Sequence, residues 1–225
     1  MPSSQPLAII FDFDNTLVKS HIDFPKLKVE MAHRLSRYGF SFGSDETIPH
    51  KFTAGEIIEQ AAAYDEEHGT SLAEELWSLV ESFEREGMRD ITVADGITET
   101  LAALKQKGFL LIVFTNNAKS PTLEVLQRFH LESFFDLVVA REDVKKMKPD
   151  PEGISLILTK FNLSPEQAVF VGDSWVDALA ATNAGVRFIL LREERLDEAK
   201  YGITIWRHIR FLTELVALLS QESTT

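Results

Sequence analysis

Residues 9–18 read IIFDFDNTLV, an apolar run that leads into two aspartates separated by one residue. The residues before Asp12 have the character of a buried strand, in which neighbouring carboxylates would lose hydration and repel each other. Asp12 and Asp14 therefore indicate a bound cation or a reaction at the end of that strand. The alternative is that both are ordinary turn residues beside Asn15, itself a good turn former.

The composition is that of a globular protein. The chain has 225 residues, of which 44% are hydrophobic and 26% are charged, so it is long enough to bury a full core. It contains no cysteine, which excludes disulfides and thiolate metal sites. The first ten residues, MPSSQPLAII, lack the features of a secretion signal, and no apolar run reaches the roughly 18 residues that span a bilayer. We expect a cytoplasmic protein without a membrane partner.

The charge of the chain disfavours polyanionic partners. It has 23 Lys and Arg against 35 Asp and Glu, a formal net charge of −12, whereas nucleic acids are bound by clustered Lys and Arg. We therefore expect no nucleic acid as a partner. Much of the excess lies between Ser20 and Thr92, where 7 basic and 15 acidic residues give a net charge of −8. The apolar residues of this stretch recur at helical spacing, which predicts a separate helical unit.

Strand and helix patterns alternate along most of the chain. Short segments rich in Val, Ile and Phe predict strands buried on both faces. These segments are Leu7–Phe11, Phe109–Phe114, Phe135–Val139, Ala168–Val171, Arg187–Leu191 and Ile203–Trp206. The helical patterns between and after them are Ile97–Lys107, Pro121–Phe129, Pro151–Phe161, Asp177–Ala184 and Leu212–Ser220. This alternation predicts an α/β fold with a parallel, doubly wound sheet.

The gap after the first predicted strand is an exception, because it contains helices in succession and no convincing strand. The helical patterns there are Pro25–Tyr38, Ala54–His68 and Ser71–Arg85. We therefore predict two domains. The α/β core comprises residues 1–19 and 93–225, and the helical insert comprises residues 20–92.

Polar segments follow or flank several of the predicted strands. In open α/β sheets the reactive crevice lies beyond the carboxyl ends of the strands, so these segments are candidates for one site. They are the Asp12 and Asp14 pair, the turn Thr115–Asn117, the segment KKMKPDP before the helix at Pro151, and VGDSWVD after the fourth strand. Each alone has an ordinary explanation as a turn, a solvated lysine cluster or a helix cap. Their joint placement predicts a functional site.

The order FDFDNT, TN, KP, GDSWVD resembles the four motifs of the haloacid dehalogenase-like (HAD) hydrolase superfamily, and the resemblance runs from Ile9 to about Leu191. The insert after the first motif is similar to the α-helical cap of the phosphoglycolate phosphatase-like branch. The resemblance implies a Rossmann-like core, a mobile cap and magnesium-dependent hydrolysis of phosphate esters through an aspartyl-phosphate. It makes Asp12 the nucleophile and Asp14 the general acid and base.

The chemistry of the residues agrees with these roles. A carboxylate such as Asp12 can attack phosphorus and form a covalent intermediate, and Asp14 could protonate the leaving alkoxide. Thr115 and Asn116 offer hydrogen bonds to the phosphoryl oxygens, although both also suit a turn cap. Lys148 would neutralise the nucleophile and the transferring group.

Two further lysines, Lys145 and Lys146, compete with Lys148 for this role. The resemblance favours Lys148, because the family pattern has Lys before Pro.

The implied metal site consists of oxygen ligands. Asp12, Asp173 and the backbone carbonyl of Asp14 would hold Mg²⁺, an ion that favours carboxylates, carbonyls and water. Asp177 lies one helical turn after Asp173 and could join this set by orienting a bound water. The alternative for Asp177 is a first-turn acid that is favoured by the helix dipole.

We expect a phosphatase that acts on a small phosphorylated metabolite. A phosphosugar mutase with the same aspartyl-phosphate stays open, as does a phosphoacceptor domain of the receiver type, although a receiver needs neither the insert nor the late acids. A dehalogenase is disfavoured, since Asp14 has no duty in attack on a carbon–halogen bond. His21, His50 and Lys51 of the insert are candidate substrate contacts, with plain surface positions as the alternative. The sequence leaves the substrate and the oligomeric state open.

Overall fold

The computed structural model describes residues 7–221 and divides the chain into two compact units. One unit comprises the chain up to Lys19 and from Thr92 onward, and the other is Ser20–Ile91. The predicted core also includes residues 1–6 and 222–225, which lie outside the described residues.

The strands of the described residues all belong to the first unit. They are β1 (Ala8–Phe11), β2 (Val18–Lys19), β3 (Thr92–Val93), β4 (Leu110–Phe114), β5 (Leu137–Val139), β6 (Ala168–Gly172), β7 (Arg187–Leu191) and β8 (Arg207–Ile209). Six of them form a sheet in the order β5-β4-β1-β6-β7-β8, with every neighbouring pair parallel. The strands β2 and β3 form a separate antiparallel pair. The predicted α/β fold with a parallel sheet is confirmed.

The helices complete both units. Those of the first unit are α5 (Ile97–Gln106), α6 (Lys119–Arg128), α7 (Glu152–Phe161), α8 (Trp175–Ala184), α9 (Glu198–Tyr201) and α10 (Glu214–Gln221). Those of the second unit are α1 (Phe24–Ser36), α2 (Ile48–Lys51), α3 (Ala54–His68) and α4 (Leu72–Gly87). The longer predicted helices agree with the observed ones to within two residues at each end.

The central strand β1 sets the register of the sheet. All four of its residues are fully buried, as expected for an apolar strand between two neighbours. Phe11 pairs with Val113 of β4 on one side and with Val171 of β6 on the other. Because the three strands are parallel and in register, the residues that follow them emerge at the same edge of the sheet.

One face of the sheet packs against α7 and α8. Ile157 of α7 and Ala178 of α8 join Phe114 and Phe170 of the sheet in one buried apolar cluster. All four residues are fully buried. Because a close-packed core leaves little room for movement, it holds the ends of the strands in fixed positions.

The last strand lies outside its predicted position at Ile203–Trp206, so that prediction is wrong. Helix α9 ends at Tyr201 with Gly202 as its C-cap, and the N–H of Ile203 donates to the carbonyl of Glu198 at 3.1 Å. The buried side chain of Ile203 therefore packs at a helix end. Pairing with β7 begins only beyond it and gives β8.

The helical unit has an apolar core of its own. Met31 of α1, Ile57 of α3 and Leu76 of α4 are buried against one another in a cluster that draws on the long helices. Helix α3 begins with a capping box, in which Thr53 and Glu56 satisfy each other's backbone N–H groups. This core accounts for the compactness of the unit. Within residues 7–221, none of the helices combines the length and apolar character that a membrane span requires.

Candidate active site

Three polar residues stand directly after adjacent strands. Asp12 follows β1, Thr115 follows β4 and Asp173 follows β6. The N–H of Asp12 donates to the carbonyl of Val171 at 2.9 Å, and the N–H of Thr115 donates to that of Val139 at 3.0 Å. The sheet ladder thus continues through Asp12 and Thr115 and fixes the backbone from which their side chains project.

Lys148 brings a buried positive charge to this site. Its Nζ donates to Asp12 Oδ1 at 2.5 Å, to Asp177 Oδ1 at 2.7 Å and to the carbonyl oxygen of Phe114 at 3.1 Å. Burial alone would lower the pKa of Lys148, but the two carboxylates outweigh it and hold that pKa above 10.5. Lys148 therefore stays charged at neutral pH.

The other two candidate lysines lie elsewhere. Lys145 and Lys146 are exposed, and their backbone N–H groups donate to the carboxylate of Glu152 at 3.0 and 2.9 Å. Of the three lysines in KKMKPDP, the structure therefore brings Lys148 to Asp12.

The side chain of Asn116 forms two hydrogen bonds with the backbone of Lys148. Its side-chain Nδ2 donates to the carbonyl of Lys148 at 3.0 Å, and its Oδ1 accepts from the N–H of Lys148, also at 3.0 Å. The predicted contact of Asn116 with substrate thus competes with two existing hydrogen bonds. These bonds join the turn after β4 to the loop that carries the lysine, 32 residues further along the chain.

The acidic side chains form a compact group. Asp12, Asp173 and Asp177 each place one carboxylate oxygen within 4.8 Å of the others. Burial raises the pKa of Asp12 well above 3.8 and Asp177 adds to this, while Lys148 opposes it. Burial, again reinforced by Asp177, raises the pKa of Asp173 to about 7. Such a group of desolvated carboxylates fits a hard divalent cation, which would offset their repulsion.

Both carboxylate oxygens of Asp177 accept hydrogen bonds. Its Oδ1 accepts from Lys148, and its Oδ2 accepts from the Ser174 N–H at 3.1 Å and the Ser174 hydroxyl at 2.5 Å. Ser174 is the N-cap of α8 and forms a capping box with Asp177. Asp177 is therefore a first-turn acid of α8, as the alternative predicted, and the same carboxylate also contacts Lys148.

Gly172 allows Asp177 to approach the strand end. A Cβ at residue 172 would lie 2.7 Å from the Asp177 Cβ and 2.8 Å from its Cγ, distances that atoms in contact do not reach. A residue without a side chain is therefore required at the end of β6.

Asp14 is 7% exposed and contacts Asn117, to which the sequence analysis assigned no role. The Nδ2 of Asn117 donates to Asp14 Oδ2, and its backbone N–H donates to Thr115 Oγ1 at 3.1 Å. The only sequence signal for Asn117 is its position as a third consecutive polar residue after β4.

The candidate substrate contacts of the insert are surface residues of the helical unit. His21, His50 and Lys51 all have exposed side chains.

Comparison with known proteins identifies the family of this chain. Residues 9–191 match the family model described as haloacid dehalogenase-like hydrolase. A phosphoglycolate phosphatase of Mannheimia succiniciproducens is 32% identical over 191 residues, which cover 81% of this chain and 84% of that protein. The pyrophosphatase PpaX of Bacillus velezensis is 29% identical over 189 residues, 83% of each chain.

A solved structure is similar over nearly the whole length. CbbY of Rhodobacter sphaeroides, in complex with phosphate, matches with a TM-score of 0.63 and 25% identity over 93% of this chain and 96% of its own. The resemblance carried by the four motifs is thereby confirmed. The chain belongs to the haloacid dehalogenase-like hydrolases, a family of enzymes in which its two sequence relatives above are phosphatases.

Proposed function

We propose that this protein is a Mg²⁺-dependent phosphatase that hydrolyses a small phosphorylated metabolite, with Asp12 as the nucleophile. The observation that carries the proposal is the 2.5 Å contact between Lys148 Nζ and Asp12 Oδ1 at the end of the central strand. Lys148 touches this carboxylate and opposes the rise in the pKa of Asp12 that burial causes, so it favours the ionised form that a nucleophile requires.

The reaction proceeds in two displacements. A carboxylate oxygen of Asp12 attacks phosphorus, the bond from phosphorus to the leaving oxygen breaks, and Asp14 gives its proton to that oxygen. Water then attacks the phosphorus of the aspartyl-phosphate and gives a proton to Asp14, while the bond between phosphorus and the Asp12 oxygen breaks. Inorganic phosphate leaves, and both carboxyl groups return to their starting states.

Thr115 and Lys148 act on the transferring group. Because Thr115 Oγ1 accepts a hydrogen bond from the Asn117 N–H, the hydroxyl proton of Thr115 can point to a phosphoryl oxygen. Lys148 supplies a fixed positive charge beside the same group. Asn116 is proposed to act mainly by holding Lys148, and a direct contact with substrate would need its amide to leave the lysine backbone.

The metal ligands are proposed to be Asp12, Asp173 and the backbone carbonyl of Asp14, with Asp177 beside them. When bound, Mg²⁺ would neutralise the charge that develops on the transferring phosphoryl group. The carboxylates of Asp12, Asp173 and Asp177 converge closely enough to support this assignment.

The relatives suggest which substrates to examine first. One is named a pyrophosphatase and the other a phosphoglycolate phosphatase, and both names imply a small phosphate compound with an anionic leaving group. We assign the choice of substrate to the helical unit, as the resemblance to cap-bearing phosphatases implies. A cytoplasmic location fits a substrate of this kind.

The test uses the purified full-length protein and measures phosphate release from pyrophosphate, 2-phosphoglycolate, sugar phosphates, nucleotides and a phosphopeptide. We expect hydrolysis of at least one small compound, loss of activity with EDTA and recovery with Mg²⁺. Asp12→Asn, which keeps the size of the side chain, should abolish phosphate release while its circular dichroism spectrum stays that of the wild type. Activity that survives both EDTA and Asp12→Asn would exclude the proposed mechanism. Isomerisation of a sugar phosphate without phosphate release would indicate the mutase alternative.

A further inference from the structure

Asn117 is a buried polar residue that the proposed reaction leaves without a task. It is 3% exposed, and its backbone is anchored on both sides. Its N–H donates to Thr115 Oγ1 at 3.1 Å, and its carbonyl accepts from the N–H of Arg141 at 3.1 Å. The side-chain amide therefore projects from a fixed point and donates to Asp14 Oδ2.

We propose that Asn117 is a positioning residue that orients the Asp14 carboxyl group for proton transfer to the leaving oxygen. This inference rests on the proposed phosphatase mechanism and assigns within it a residue that does not touch the substrate.

The side-chain amide of Asn117 determines how the Asp14 carboxyl group is oriented. The Nδ2 of Asn117 can only donate, so the Asp14 oxygen that it contacts must accept. In a protonated carboxyl group the carbonyl oxygen is the stronger acceptor, so this contact favours the form of Asp14 in which Oδ2 is the carbonyl oxygen and Oδ1 carries the proton. A carboxyl group otherwise rotates over a broad range about its last torsion. One hydrogen bond from a fixed donor therefore selects both the orientation of the acid and the oxygen that delivers the proton.

The preceding residue has a different target. Asn116 makes its two 3.0 Å hydrogen bonds to the backbone of Lys148, a cation that serves every substrate alike. Adjacent asparagines thus hold the two different groups of the site, and each provides a control for the other.

Substrates with different leaving groups distinguish the orientation of Asp14 by Asn117 from the support of Lys148 by Asn116. Phenolate is a strongly basic leaving group and benefits from a proton in the transition state, whereas p-nitrophenolate leaves readily without one. The quantity kcat/KM reports only the steps up to the first cleavage of the phosphorus–oxygen bond, so it does not include the later role of Asp14 as a base. Phenyl phosphate and p-nitrophenyl phosphate are nearly equal in shape, and their comparison isolates the proton transfer.

The experiment measures kcat/KM for both aryl phosphates with the full-length protein in Mg²⁺. Asn117→Ala removes the donor, and Asn117→Asp keeps the size while replacing the donor by an acceptor. Because general acid catalysis contributes about 10²- to 10⁴-fold, we expect both variants to lose at least about tenfold more activity on phenyl phosphate than on p-nitrophenyl phosphate. Asp14→Asn should show the same preference, and Asn116→Ala should lower both values by similar factors.

The outcomes separate this inference from the proposed function. If Asp14→Asn is selective between the two substrates and neither Asn117 variant is, the positioning role is wrong and the phosphatase mechanism stands. If Asp14→Asn lowers both values equally, Asp14 is not the acid and the inference falls with that role. A wild-type protein that releases phosphate from neither aryl ester nor from the metabolites named above would overturn the proposed function itself. Should Asn117→Ala not fold, as judged by circular dichroism, the size-matched Asn117→Asp decides.

Discussion

Lys148 Nζ lies 2.7 Å from Asp177 Oδ1, and the side chains of these two residues are only 3% and 2% exposed. A buried ion pair loses the hydration of both partners, and this loss can exceed the attraction between them. The same lysine also contacts Asp12, so the cation is shared by two carboxylates. We interpret Asp177 as the partner that holds Lys148 in place and Asp12 as the partner that reacts.

The first prediction concerns the choice among the three lysines. Lys148→Ala should lower kcat by on the order of 10²- to 10³-fold, because it removes a preorganised charge from the transferring group. Lys145→Ala and Lys146→Ala are matched controls and should remain close to the wild type, since both side chains are exposed. Steady-state kinetics on one substrate compares all three. Equal, mild losses would show that Lys148 is not the catalytic cation.

The second prediction separates a partner of the lysine from a ligand of the metal. Asp177→Asn keeps the shape of the side chain but removes the charge beside Lys148, and we expect kcat to fall about tenfold or more. The Mg²⁺ concentration that gives half-maximal activity should change little in this variant. Asp173→Asn should instead raise that concentration strongly, and calorimetric titration with Mg²⁺ should show the same difference in affinity. If both variants raise the Mg²⁺ requirement equally, Asp177 is a direct ligand.

The third prediction is a pH dependence of stability. The folded protein raises the pKa of Asp173 from 3.8 to about 7, through burial first and the charge of Asp177 second. Between these values the folded state binds more protons than the unfolded state, so this group makes the free energy of unfolding fall as the pH rises. The destabilising effect of Asp173 is complete above about pH 7 and is absent below pH 3.8, the pKa of this group in the unfolded chain.

Asp173→Asn removes this effect. In EDTA the variant should therefore gain stability relative to the wild type on going from about pH 5 to about pH 8, by on the order of 1 kcal/mol or more. Urea unfolding at both pH values measures the difference. At the higher pH, Mg²⁺ should stabilise the wild type more than the variant, because binding to the folded state adds to its stability. A stability difference that is equal at the two pH values would contradict the assignment.

Much of the fold could be predicted because its signals are local. The strands β1 and β4 are continuous apolar runs, and β7 is one after its first residue, Arg187; such runs mark strands covered on both faces. The short strands β2 and β3 were missed, because two residues are too few to show any period. The sequence predicts a strand at Ile203 because an apolar residue suits a strand position and a helix end equally well.

The candidate site was predictable to the extent that residue type and strand position determine it. Asp12, Thr115 and Asp173 could be found because each follows a strand of a parallel sheet. The partners of Asn116 and Asn117 could not be found in this way. Asn116 contacts Lys148 across 32 residues and Asn117 contacts Asp14 across 103, and sequence spacing at such separations says nothing about which side chains meet.

The last prediction concerns the close packing of Gly172 against Asp177. A methyl group at Gly172 would overlap the Asp177 side chain, with 2.7 Å between the two Cβ atoms, so Gly172→Ala should displace Asp177 and with it Lys148. We expect a loss of kcat about as large as that of Asp177→Asn, about tenfold or more, because the same contact is lost. Gly202→Ala is the control in the same unit. Its φ of +64° makes alanine unfavourable by roughly 1 kcal/mol, yet no atom beyond the two adjacent residues lies within 4 Å of the added Cβ, so stability should fall while kcat is retained. Thermal melting and kcat measured on both variants separate the two effects, and a Gly172→Ala enzyme with wild-type kcat would show that the position of Asp177 does not control the site.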